Sequence, residues 1–246
     1  MDNIIVGIIP SSFIRTDDNP YHDTYNCLHL YVNKLEECNA SCIGLIPKGN
    51  IIPENLLDKC DAFLIQGGQK ISFYHYQVIE YAIKNNKPLL GICMGMQAIG
   101  IYSKVMENVE IFNEANFYKE YDRLKSENEE SLLERLEEGN IHSHYINYDN
   151  YKTAYHKVQL INKSSILYDV YKVDEKDEVS LHDYKLKYVG NNFTVGATTN
   201  DNVIEEIEYN NKDYFIVGTL FHVEWDEDKL LFKRLIDEAI KRRNII

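Results

Sequence analysis

Cys93 lies in the stretch Pro88-Leu89-Leu90-Gly91-Ile92-Cys93-Met94-Gly95-Met96-Gln97, where an apolar run enters Gly-x-Cys-x-Gly and a helix-like sequence follows. This is the cysteine version of the strand-to-helix elbow that exposes a nucleophile. Glycines two residues to either side leave room for a sharp turn. The helix N-terminus behind the cysteine offers partial positive charge and unpaired N–H groups, and both favour the thiolate. That help matters, because an unperturbed thiol of pKa about 8.5 is mostly protonated at neutral pH. A buried cysteine between two structural glycines is the competing reading, since short motifs also arise by chance.

Two further segments supply what such a nucleophile needs. Asp61-Ala62-Phe63-Leu64-Ile65-Gln66-Gly67-Gly68 reads as a strand ending in Gly-Gly. The Gly68 N–H, paired with that of Met94, could form an oxyanion hole for a tetrahedral intermediate. A simple turn would explain Gly67 alone. In Gly218-Thr219-Leu220-Phe221-His222-Val223-Glu224-Trp225, His222 and Glu224 stand two residues apart at the end of a strand, so their side chains can share a side. Glu224 would then accept the Nδ1–H of His222 and leave Nε2 to take the thiol proton, the logic of a nucleophile–base–orienter triad. Taken alone, a His-x-Glu pair reads more readily as a surface pair.

The elements that must position these residues alternate along the N-terminal half. Strands are expected over 4–9, 42–47, 62–65 and 88–92, and helices over 21–37, 55–60 and 71–85. Strands separated by helices imply right-handed crossovers and a parallel sheet covered on both faces, with sites at the carboxyl ends of the strands. From Lys157 onward strands dominate, over 158–161 and 193–198. Segments 203–209 and 213–220 flank the hairpin turn Asn210-Asn211-Lys212. A helix over 227–243 closes the chain, its last turn carrying Lys241-Arg242-Arg243 against the negative dipole end. The segment 113–140 is acidic and reads as one or two exposed helices within an insertion spanning about 113–145. Its bland role is a solvated face; a lid or a contact with another chain is the sharper one. A single domain over 1–246 is expected, because neither an internal repeat nor a Pro/Gly/Ser-rich linker interrupts the sequence.

Composition narrows the partners. The formal net charge of −13 disfavours nucleic acid and anionic membranes. The apolar start over 4–9 lacks a basic flank and a cleavage site, so it reads as a buried strand rather than a signal peptide. No apolar run approaches the roughly 20 residues of a membrane helix, and a cytoplasmic location is expected. Five cysteines without CxxC spacing argue against a disulfide framework and a zinc knuckle. Cys27, Cys38, Cys42 and Cys60 are expected as reduced, semi-buried residues. His142 and His144 stand two apart but lack a third ligand at suitable spacing, so no metal is expected. His22, His29, His75 and His156 read as surface or packing residues.

Together, the Gly91–Gln97 elbow, the strand ending Gly67-Gly68 and the Gly218…Phe221-His222-Val223-Glu224 segment resemble class I glutamine amidotransferases, within their γ-glutamyl hydrolase-like branch. Val179-Ser180-Leu181-His182 and Asn202-Val203-Ile204-Glu205 match more weakly, and only the acidic insertion has no counterpart. The resemblance implies a flavodoxin-like α/β fold: a mostly parallel sheet with helices on both faces, extended by C-terminal β-hairpin elements and the helical insertion. It implies no cofactor. It assigns Cys93 as nucleophile, His222 as general base and acid, Glu224 as orienter, and Gly68 and Met94 as oxyanion donors. Gln97 would help hold the glutamyl part of a small γ-glutamyl substrate, and Ser180 and His182 would line the same pocket. Departures are Gln66 and Val223 where the family often has proline, and His182-Asp183-Tyr184 in place of a His-His-Gln run. Only Gln69 and Lys70 separate Gly68 from the next helix, too short a loop for the polyamine-pathway substrates of this branch.

The expected activity is hydrolysis of a γ-glutamyl amide through a γ-glutamyl thioester, releasing glutamate and an amine or ammonia. The alternative is the glutaminase component of a two-chain amidotransferase, supplying ammonia to a separate synthetase, since no ATP-grasp or P-loop pattern is present. A non-catalytic binding protein on the same fold is a third reading, and the intact Cys, His and Glu count against it. The sequence leaves open whether the chain pairs with itself as a homo-oligomer.

Overall fold

The computed structural model describes residues 3–13, 24–127, 132–137, 140–143 and 154–244. In chain order its elements are β1 (Ile4–Ile9), β2 (Ser11–Phe13), β3 (Thr24–Asn26), α1 (His29–Glu36), β4 (Ala40–Gly44), α2 (Glu54–Leu57), β5 (Ala62–Ile65) and α3 (Phe73–Lys84). Then come β6 (Leu89–Ile92), α4 (Met94–Val105), α5 (Glu114–Glu127), β7 (Leu133–Arg135), β8 (Tyr155–Leu160), α6 (Ile166–Tyr171) and β9 (Glu175–Val179). The chain continues through β10 (Tyr184–Leu186), β11 (Phe193–Thr198), β12 (Ile204–Tyr209) and β13 (Ile216–Thr219), then α7 (Leu230–Arg243).

A nine-stranded sheet runs in the order β4-β1-β5-β6-β13-β12-β11-β8-β9. From β4 to β13 all neighbours pair in parallel. From β13 outward the pairings are antiparallel, which is the hairpin extension expected from the C-terminal sequence. Alternation along the strands sends apolar side chains to both faces, as a sheet covered on two sides requires. On β5, Phe63 and Ile65 join the core beneath α3, α4 and α5. Ala62 and Leu64 join the opposite core, with Tyr31 and Leu35 of α1 and with Leu231, Phe232 and Leu235 of α7.

Strands β1, β5, β6 and β11 fall where the sequence pattern put them, and the ends of α3 and α7 move by a few residues. Two expectations change. The helix expected over 21–37 is helical only from His29; Thr24–Asn26 is strand β3, paired with β2, and residues 21–23 lie outside the described residues. Asn26 and Leu28 are held by a glutamine instead: the Gln66 amide donates to the Asn26 carbonyl, and its oxygen accepts the Leu28 N–H at 3.0 Å. The acidic insertion is helical over Glu114–Glu127, but its next piece is strand β7, paired antiparallel with β10. Its apolar residues are not free to face solvent, because Phe117, Leu124 and Leu132 are buried against the core of α3 and α4. The remainder, 128–131, 138–139 and 144–153, lies outside the described residues.

The functional end of the sheet depends on how closely α4 lies on it. A Cβ on Gly95 would sit 2.3 Å from the Ile65 carbonyl oxygen, and one on Gly91 would sit 2.7 Å from the Gly95 carbonyl carbon. Both obstacles are backbone and cannot swing aside. Gly95→Ala is therefore expected to lower stability by about 1–3 kcal/mol, the usual cost of overpacking, read as a lower midpoint in denaturant unfolding. An unchanged midpoint would mean that the helix and strand are not held this close.

Candidate active site

Three neighbouring parallel strands, β5, β6 and β13, end at the same edge of the sheet. β5 runs into Gln66-Gly67-Gly68, β6 into Cys93, and β13 through Leu220-Phe221 into His222. The register pairs Ile92 with Thr219, so Cys93 and His222 leave the sheet side by side. The Cys93 N–H donates to the Thr219 carbonyl at 2.7 Å, and the Cys93 carbonyl accepts the Gln97 N–H at 3.0 Å. Between these two bonds Cys93 takes φ 52° and ψ −106°, a left-handed φ that a residue with a side chain rarely adopts. It precedes the first residue of α4, Met94, whose N–H has no acceptor within the helix.

His222 opens a short 3₁₀ turn over Val223–Trp225 that brings Glu224 back beneath the imidazole. The His222 Nδ1–H donates to Glu224 Oε1 at 2.6 Å. That leaves Nε2 without a well-aligned hydrogen-bond partner among the described residues. The ring lies against the glycine turn after β5: a Cβ on Gly67 would be 3.2 Å from His222 Cε1 and 3.5 Å from Cys93 Cβ. Gly67 thus keeps open the space that the two side chains share. Burial by itself lowers the basicity of His222, yet the neighbouring Glu224 carboxylate and Cys93 sulfur outweigh it and hold the imidazole well above its ordinary range.

Two contributors were not legible as site residues. Tyr31, on α1 and fully buried, donates its hydroxyl to Glu224 Oε1 at 2.7 Å and accepts the Gly67 N–H at 3.0 Å. Burial and the Glu224 carboxylate keep the phenol protonated, so it remains a donor. One turn along, Lys34 donates to the Asp226 carbonyl at 2.5 Å and braces the end of the 3₁₀ turn. A polar tip on an otherwise apolar helix face was the only available signal, and it has many innocent explanations.

The other expected site residues are placed as follows. Gly68 is exposed at the rim beside Met94. Gln97 is buried and donates its amide to the Tyr184 carbonyl at 3.1 Å. Ser180 is fully buried and donates to the His142 carbonyl at 2.9 Å. His182 is buried, with Nε2 3.4 Å from Glu205 Oε1. The segment carrying both touches the site through its backbone, since the His222 N–H donates to the Val179 carbonyl at 2.9 Å. His156, read as a surface or packing residue, lies in a buried polar cluster with His142 and His182; His144 lies outside the described residues.

A cysteine at a strained elbow, an imidazole and a carboxylate behind the imidazole thus meet at one edge of the sheet. The Peptidase C26 family profile matches residues 72–224, and the chain belongs to this class I glutamine amidotransferase-like family. It is 24% identical over 214 residues to a CTP synthase of Methanosphaera stadtmanae, covering 82% of this chain and 38% of that protein. The chain thus spans well under half the length of the curated relative it matches. Among solved structures it resembles a protein of Thermoplasma acidophilum described as a putative subunit of GMP synthase, with TM-score 0.64, 16% identity, and 100% of this chain and 98% of that one covered. It also resembles the glutaminase domain of the Trypanosoma brucei CTP synthase with bound acivicin, with TM-score 0.67, 18% identity, and 97% and 94% covered. No helix among the described residues is long and apolar enough to cross a membrane.

Tyr31→Phe removes a donor to Glu224 and the acceptor of the Gly67 N–H in one step. Leaving buried polar groups unpaired costs about 1–3 kcal/mol, so the variant is expected to unfold earlier in denaturant. Its crystal structure should also show the Glu224 carboxylate turned from His222 Nδ1. A variant as stable as wild type, with an unmoved carboxylate, would show that the tyrosine is packing alone.

Proposed function

We propose that the chain is a cysteine-nucleophile glutaminase that hydrolyses the side-chain amide of glutamine through a γ-glutamyl thioester and passes ammonia to a synthetase on a separate chain. The observation that carries the hydrolytic part is the convergence of Cys93, His222 and Glu224 at the ends of adjacent strands, with Glu224 2.6 Å from the imidazole. What favours a glutaminase over the free-standing γ-glutamyl hydrolase suggested by the sequence is the kind of protein it resembles: a CTP synthase, a component of GMP synthase and the glutaminase domain of another CTP synthase.

In this reading the Cys93 thiolate attacks the amide carbonyl carbon, and the oxygen takes up the negative charge between the Gly68 and Met94 N–H groups. Losing one such donor typically costs about 10²–10³ in rate. His222, protonated at both nitrogens, gives its Nε2 proton to the departing nitrogen as the C–N bond breaks, and ammonia leaves. The neutral imidazole then takes a proton from water, the hydroxide adds to the thioester, and glutamate departs as the thiolate re-forms. Glu224 carries no proton in either half. It keeps Nδ1 protonated and stabilises the imidazolium, while Gln97 holds the amino-acid end of the substrate.

Purified protein is expected to release ammonia from free glutamine, and Cys93→Ala is expected to abolish this with the fold intact. If wild type releases amine only from larger γ-glutamyl conjugates, the hydrolase reading replaces the glutaminase. An electrophilic glutamine mimic should label Cys93 and spare the other thiols. Burial pushes Cys42 and Cys60 up to about 11 and raises Cys27 and Cys38 as well, so these stay protonated.

Glu224→Gln should lower turnover, though less than Cys93→Ala does. The carboxylate is one of the charges that raise His222, so withdrawing it lets the imidazole lose its proton at lower pH. The limb of the kcat/KM profile that titrates the coupled Cys–His pair should move to lower pH. Superimposable profiles for wild type and variant would remove Glu224 from the machinery.

A further inference from the structure

Behind the strand that delivers His222 lies a second cluster with no part in the reaction above. His142, His156, His182 and Glu205 are all buried, and one ligand atom from each lies within 4.8 Å of the others. They come from four separate segments: the 140–143 stretch, β8, the link between β9 and β10, and β12. This is why the sequence, scanned for spacing, offered His142 without partners.

Hydrogen bonds do not account for the arrangement. Among the described residues, both oxygens of Glu205, both ring nitrogens of His182 and Nε2 of His156 are buried without a well-aligned hydrogen-bond partner. One bond joins two members, His156 Nδ1 to His142 Nδ1 at 3.0 Å, and an ion on His142 Nδ1 would replace it. The unpartnered atoms nevertheless converge. Glu205 Oε1 lies 3.4 Å from His182 Nε2 and 3.6 Å from His142 Nδ1, and Glu205 Oε2 lies 3.5 Å from His156 Nε2. Burying that many polar atoms without a protein partner is costly. Ligand atoms on a tetrahedral ion with bonds of 2.0–2.1 Å stand about 3.3 Å apart along each edge. The separations from Glu205 are therefore close to those of a coordination shell.

The orientation of His142 adds an independent sign. Its Nε2–H donates to Asp201 Oδ2 at 3.0 Å, which fixes the tautomer and leaves the Nδ1 lone pair aimed into the cluster. Asp201 is itself held, since Thr199 donates to its other oxygen at 2.5 Å. A carboxylate behind a histidine is the outer-shell device that orients metal-binding imidazoles and raises their basicity.

We propose that His142, His156, His182 and Glu205 bind one divalent transition-metal ion. Three imidazoles and one carboxylate in a closed, buried, four-coordinate set suit zinc. With every position filled by protein, the ion serves structure rather than hydrolysis. It ties β8, the β9–β10 link and β12 together beside the Leu220–His222 segment. That segment is in turn bonded to the same elements, through the Leu220 N–H to the Glu205 carbonyl at 2.8 Å and the His222 N–H to the Val179 carbonyl.

The test uses the full chain, stripped with a chelator and dialysed against Zn²⁺ or Co²⁺ alone. Mass-spectrometric metal analysis should give about one ion per chain, and the Co²⁺ form should show the intense visible bands of tetrahedral nitrogen and oxygen coordination. Glu205→Gln and His156→Ala should lose the ion. Since either variant could fail to fold, Asp201→Asn provides the second measurement: it touches no ion, and its affinity should fall by about 10–100-fold. Wild-type protein that binds neither Zn²⁺ nor Co²⁺ at one per chain, or that binds them equally after Asp201→Asn, overturns the proposal and leaves the cluster as histidines sharing protons with Glu205.

Discussion

The parallel pairing of β6 with β13 is the contact on which the site depends. Ile92 stands opposite Thr219, so the next residue of one strand is Cys93, and the third residue along the other is His222. The bond from the Cys93 N–H to the Thr219 carbonyl at 2.7 Å is the last rung of that ladder. It also bears the strain of the elbow, because a side-chain-bearing residue at φ 52° stores on the order of 1–3 kcal/mol. The surroundings offset that cost by leaving Cys93 little choice. Its N–H is committed to β13, its carbonyl to the first turn of α4, and α4 is pressed onto the sheet at Gly91 and Gly95. A one-residue slip between β6 and β13 would turn every side chain of the slipped strand to the other face and separate Cys93 from His222.

Charge is organised around the same point. His222 stands between Glu224 and Cys93, and together they raise its basicity against the effect of burial. An imidazolium beside Glu224 is stabilised only where water does not screen the pair, and Glu224 is fully enclosed. Enclosing a carboxylate requires donors. Tyr31 and the His222 Nδ1–H both donate to Oε1. Because Tyr31 also holds the Gly67 N–H, α1 links the glycine turn of β5 to the orienting carboxylate. A helix from the far side of the sheet thus sets the distance between two loops that the strands alone would leave free.

What could be read in the sequence follows from locality. The elbow around Cys93 and the His222-x-Glu224 pair are short, and each is complete within one element boundary, so together with the Gly67-Gly68 strand end they could be picked out. The buried parallel strands carried continuous apolar runs, and β5 and β6 were recoverable for that reason. Tyr31 and Gln66 were not, because their roles consist of hydrogen bonds across about 40 residues or more. The acidic insertion misled through composition. Leu132 and Leu133 lie in so charged a context that a helix was expected. The pairing of Leu133–Arg135 with β10 is instead a long-range contact that overrides local propensity. His156 looked unremarkable and His182 was expected only as a pocket-lining residue for the same reason, the two being 26 positions apart and joined only by the sheet.

Strand β12 shows how far the face of a sheet governs chemistry. Glu205 and Glu206 are consecutive, both fully buried, and by pleat they face opposite sides. Burial pushes either carboxyl up. On one side the imidazoles of His156 and His182 outweigh it, and Glu205 is held below its ordinary range. On the other side the neighbour is Glu208, a second carboxylate, and Glu206 is pushed well above its range. Glu208 takes Lys212 and the Ile166 N–H as donors, while Glu206 lies against Gly196. Two residues of one type, adjacent on one strand, are thus shifted in opposite directions, Glu205 by the imidazoles on its side and Glu206 by burial and the second carboxylate on its own.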